Sequence, residues 1–148
     1  MEKEFVTYEL ALELKQLGFN EPCFGYYVDG ELRGINLGME ELGGVEPYYQ
    51  RLGFHTLSNH DIDNPNKIVA TAPTYSQAFR WFREKHILDC YIDRGGAKGV
   101  YYAFVGGSEH GFLYGNNGNS PSEFTYEEAE LECLIKLIQI VKNKGGDK

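Results

Sequence analysis

Within nine residues the chain places His55, His60, Asp61 and Asp63, its densest group of potential metal ligands. Imidazoles and carboxylates suit zinc, manganese or iron, and a metal held there would imply a metal-dependent hydrolase. Histidines separated by four residues on a loop define no coordination geometry, and no second ligand cluster accompanies them. The simpler reading is a solvated polar loop, with no metal assigned. A calcium loop opening at Asp61 fails at Asn66, where glycine is required, and at Ala72, where a glutamate is required. Ser108-Glu109-His110 pairs a serine with a histidine, but a nucleophile elbow needs Gly-x-Ser-x-Gly between a strand and a helix. His110 stands at the last of those positions and strands are expected on both sides, so the segment reads as a hairpin turn. Gly95-Gly96-Ala97-Lys98-Gly99 lacks the full phosphate-loop spacing and the Ser or Thr that would hold magnesium. No helix is expected after it to supply N–H groups. Cys23, Cys90 and Cys133 form no Cys-x-x-Cys pair and read as small core residues. No catalytic residue and no cofactor are assigned.

The contact candidates are Arg80, Trp81 and Arg83, from the only compact basic stretch, Arg80-Trp81-Phe82-Arg83-Glu84-Lys85-His86. Exposed Trp and Arg are typical binding hot spots; the competing reading packs Trp81 under a neighbouring loop. Tyrosine pairs such as Tyr26-Tyr27 and Tyr101-Tyr102 alternate across strands, so one of each pair is expected to face outwards and build an aromatic sheet face. That face is either a binding platform or a surface covered by helices.

Composition narrows the classes further. The 148 residues carry a net charge of −8, are 42% apolar and include 11 Tyr, 9 Phe and 1 Trp, enough for one well-buried domain. Residues 1–50 alone hold 10 acids against 3 bases. An acidic surface repels phosphate backbones, which disfavours nucleic acid as a partner. No run of about 18 apolar residues is present, so no membrane span is expected. The opening MEKEFVTYEL has acids where a secretory signal needs basic and then apolar residues. These features point to the cytoplasm.

The elements that must position these residues are marked by their caps. Thr-Tyr-x-x-Ala occurs at Thr7, Thr74 and Thr125, each time before an apolar helical pattern. Threonine suits the N-cap, and Gln77 and Glu128 complete capping boxes in the second and third copies. Helices are predicted over 8–17, 75–86 and 126–143, the first stopped by Gly18. The third has an apolar arc wide enough to be buried from two directions, either by a sheet and another helix or by a second copy of the chain. Strands are predicted over 23–28, 31–35, 67–71, 88–93, 100–105 and 110–114, with Asp29-Gly30 as a hairpin signal. Residues 36–66 are poorly patterned and contain Gly43-Gly44, Pro47 and Pro65; a loop of that length is often functional.

The segments Phe5–Phe24, Ala72–His86 and Phe124–Lys144 carry Pro-Thr-Tyr-x-x-Ala-Phe-x-Trp-Phe-Arg and Tyr-Glu-Glu-Ala-Glu. In these the chain resembles a group of small uncharacterised proteins of Bacteroidetes bacteria and their phages and prophages. The resemblance covers between a third and a half of the chain and leaves out 36–66 and 94–120. It implies a mobile-element accessory protein of a bacterial cytoplasm and assigns no functional residue.

The expectation is a single α+β domain over 1–148, with an irregular loop at about 36–66. Its antiparallel sheet carries three main helices largely on one face, in the order αβββαβββα. The function expected is a non-catalytic accessory protein acting through protein–protein interaction, with an unknown protein or a second copy as partner. A small-ligand or regulatory domain using a pocket near the tyrosine-rich sheet is one alternative. A metal-dependent hydrolase using the 55–63 loop is the other.

Overall fold

The computed structural model describes residues 2–34, 58–59, 68–95, 100–107, 111–115 and 124–146. The chain divides into two compact units, Met1–Thr74 and Tyr75–Lys148. Among the described residues, after a short 3-10 turn at Glu2–Glu4, the elements follow the order αβββαβββα, an α+β chain as its pattern predicts, and the described strands make two antiparallel sheets of three.

In the first unit, helix α1 spans Tyr8–Gln16 and the strands are β1 (Gly25–Val28), β2 (Glu31–Gly34) and β3 (Ile68–Ala72). The Thr7 hydroxyl caps α1 by accepting the Leu10 N–H at 3.4 Å. Gly18, at φ +97°, ends it in a conformation that an L side chain rarely adopts. Leu10, Ala11 and Leu14 are the buried face of α1, which packs against β3. The sheet order is β2-β1-β3. Asp29 (φ 50°) and Gly30 (φ 80°) both take positive φ, the backbone of a tight two-residue hairpin, in the register Val28↔Glu31. Tyr26 and Tyr27 are both buried, which corrects the expectation that one of them faces outwards. Both lie on the central strand, whose two faces are covered. Tyr27 packs on Tyr8 and donates its hydroxyl proton to the Val6 carbonyl.

Among the described strands β3 lies at the edge of its sheet, and an edge leaves alternate N–H groups without a ladder partner. Asn59 answers one of them. Its Oδ1 accepts the Thr71 N–H at 2.9 Å, while its Nδ2 donates to the Phe19 carbonyl at 2.7 Å. One side chain thereby ties the segment before β3 both to the sheet and to the chain that follows α1.

The second unit runs α2 (Tyr75–His86), β4 (Asp89–Arg94), β5 (Tyr101–Gly107), β6 (Gly111–Gly115) and α3 (Tyr126–Gly146). Its sheet order is β4-β5-β6, a meander. The predicted capping box of α3 is present in both directions. Thr125 N–H donates to Glu128 Oε1 at 3.0 Å and Glu128 N–H to Thr125 Oγ1 at 3.2 Å. Helix α3 packs against β4, β5 and α2, so a sheet and a helix of its own unit bury the centre of its apolar arc, while Leu131, Ile135 and Ile140 stay partly exposed and Tyr126 exposed. Ala129, Cys133, Leu134, Leu137 and Ile138 are the buried residues of that arc.

Candidate binding site

Alternation along β4 and β5 sorts their side chains onto two faces. Cys90 and Ile92 lie opposite Val105 and Ala103, with α3 above them; Tyr91 and Asp93 lie opposite Phe104 and Tyr102 on the other face. On that second face Tyr91 is 61% exposed, the highest value among the exposed large apolar residues. Its ring stacks on that of Phe104, its register partner, at 4.8 Å and 13°. Such cross-strand aromatic pairs contribute about 0.5–1.5 kcal/mol beyond the area they bury. The pair is therefore held in place while one face of Tyr91 stays available to another group.

Glycines shape the end of this surface. A cavity of about 330 Å³ is lined by Asp89, Cys90, Tyr91 and Phe104 and continues along Val105, Gly106, Gly107 and Gly111. That volume sits at the small end of the range for ligand pockets. The register of β5 and β6 shifts between Val105 and Gly106, and Gly111 takes φ 65°. Gly107 has no room for a side chain, because a Cβ there would stand 2.2 Å from the Ile87 carbonyl oxygen. Ile87 itself sits at φ 55°, at the C-terminus of α2, with the Leu88 N–H donating to the Phe82 carbonyl at 3.2 Å. A β-branched residue in the left-handed region is strained, and Ile87 is also 40% exposed. Neither packing nor backbone preference accounts for isoleucine at this turn beside the glycine wall.

Among the described lining residues the one carboxylate, Asp89, is already engaged. Asp89 Oδ1 accepts the Cys90 N–H at 2.9 Å and lies 3.7 Å from Arg83 Nη1, with both side chains about half exposed. A screened surface pair of this kind contributes little to stability, but it partly neutralises the rim. The rest of the described lining is aromatic and backbone, with Asp93 further along the same face. It fits stacking and hydrogen bonding to main-chain groups, and among the described residues it presents no nucleophile–base pair.

The predicted site residues are distributed as follows. Trp81 is corrected: it is 4% exposed, with its ring edge-on to His86 at 4.8 Å and to Phe82 at 5.0 Å, so it is a core residue of the chain and no contact hot spot. Arg80 and Arg83 are exposed, and Arg83 reaches the cavity rim through Asp89. His55, His60, Asp61 and Asp63 lie outside the described residues, as do Ser108–His110 and residues 96–99. Among the described residues no three His, Cys, Asp or Glu side chains converge as a metal site would need. No helix among them is long and apolar enough to cross a membrane. Sequence reading missed Tyr91 and Phe104, which become neighbours only once the β4–β5 register is set. It missed Cys90 and Cys133 as a pair for the same reason. No protein-family model, no curated protein and no solved structure matches the chain.

Proposed function

We propose that the protein is a non-catalytic binding module whose contact surface is the face of β4 and β5 opposite α3, centred on Tyr91 and Phe104. The observation that carries this reading is a large aromatic ring 61% exposed yet fixed by stacking on its cross-strand partner, next to a glycine-walled cavity. Tyrosine is enriched at binding hot spots because it offers rigid contact area at low entropic cost. The resemblance of its helical segments to phage and prophage proteins supports an accessory role in a bacterial cytoplasm, with a protein as partner. A homodimer would use this same face, where Tyr91 is the most exposed of the described large apolar residues. A second reading, a small-ligand domain, is favoured by the cavity of about 330 Å³ at the same place.

The test compares immobilised wild type with Tyr91→Ser and with Arg80→Ala/Arg83→Ala in a bacterial lysate. A partner retained by the wild type and by the arginine variant, and reduced at least tenfold by Tyr91→Ser at unchanged melting temperature, is the expected result. Retention that depends on the arginines and ignores Tyr91 would contradict it.

A further inference from the structure

We propose that Cys90 and Cys133 are a redox pair that closes to a disulfide when the protein meets a peroxide. The two residues are far apart in sequence but adjacent in the second unit. Strand alternation turns Cys90 towards α3, opposite Val105. From α3, Cys133 Sγ reaches down to the Tyr91 carbonyl at 4.0 Å and the Phe104 carbonyl at 3.9 Å, the pair next along the ladder from Cys90 and Val105. Both cysteines are free, and both side chains lie between α3 and the sheet face it covers. From that placement, forming the ~2.05 Å S–S bond calls for side-chain rotation.

The members of the pair differ in access. Cys133 is buried, whereas Cys90 is half-buried, so Cys90 is the member that a small oxidant reaches first. The chemistry balances with one peroxide. The Cys90 sulfur attacks the O–O bond of hydrogen peroxide, an S–O bond forms, and one water leaves, giving the sulfenic acid. The Cys133 sulfur then attacks Cys90 Sγ: the S–S bond forms and the S–O bond breaks. The hydroxyl departs with the Cys133 proton as a second water. Two thiols and one peroxide give one disulfide and two waters. Interaction with the Cys133 thiol, and then burial, hold the Cys90 proton above the ordinary thiol range. The thiolate is the reactive form, so oxidation of the pair calls for excess peroxide. Cys23 provides the internal comparison, since its thiol donates to the Glu21 carbonyl at 3.4 Å within the first unit.

The full chain, treated with excess hydrogen peroxide, unfolded in N-ethylmaleimide and weighed intact, reads the result directly. Alkylation falls from three cysteines to one, a Cys90–Cys133 linked peptide appears in the digest, and dithiothreitol restores all three. Cys23→Ser forms the same link. Cys133→Ser forms none and accumulates oxygen on Cys90. The proposal is overturned if wild type and Cys23→Ser leave Cys90 and Cys133 alkylatable or singly oxygenated. A link that joins Cys23 or bridges two chains overturns it equally. The first two samples decide the matter even if Cys133→Ser does not fold.

Discussion

His86 shows how much a single position can reveal. Its ring packs edge-on to Trp81 and beside Phe82, and burial, then the nearby Lys144 charge, lower its pKa from the usual 6.5. The folded state therefore favours the neutral imidazole, and as pH falls the unfolded chain takes up the proton first. The stability this provides is complete above about 6.5 and is lost as pH falls from there through the folded value. Melting temperature should decline between pH 8 and pH 5.5, and His86→Gln should flatten that decline; an unchanged slope would count against it. Ile87 makes a second prediction at this scale. Left-handed backbone costs a β-branched residue ~1–2 kcal/mol, so Ile87→Gly should raise the melting temperature by about 2–4 °C per kcal/mol recovered. If the exposed Ile87 side chain serves the binding face, the same variant gains stability and loses affinity, which thermal melts and a binding assay read separately.

At the scale of elements, what was legible in the sequence was what is local. The Asp29-Gly30 turn and the Thr125/Glu128 capping box depend on residues within four positions of each other, and both form as their side chains dictate. The helix α2 is bounded at Tyr75 and His86 as its apolar spacing implies. The burial of Trp81, the packed of its two readings, has a local signal: Ala78, Trp81 and Phe82 follow the i, i+3, i+4 spacing of a single buried stripe. The Tyr91–Phe104 stack was not legible, because it depends on how many residues the turn between β4 and β5 consumes. A one-residue slip of β5 against β4 would put the two rings on opposite faces of the sheet. Helix α3 carries the element-scale prediction. Leu134 and Leu137 are fully buried, so replacing either with Ala should cost about 2–5 kcal/mol. Chemical denaturation should show a lower midpoint with little change in slope. A midpoint that stays put would mean that α3 does not pack on β4, β5 and α2.

At the scale of the molecule, the described residues form two three-stranded sheets, each with a helix packed on it, and the second keeps an aromatic face with a cavity at its end. In a chain of net charge −8, the stacked Tyr91–Phe104 pair marks that face as a place for stacking. The sharpest test of this surface needs no knowledge of the partner. An NMR titration of the labelled full chain with indole, a neutral aromatic probe, should shift the amides of Tyr91, Phe104, Gly106, Gly107 and Gly111 together, with a single saturating curve, and Tyr91→Ser should weaken it at least fivefold. Shifts scattered over the chain, or gathered at Arg80 and Arg83 with the Tyr91 region silent, would contradict the assignment of this face as the binding surface.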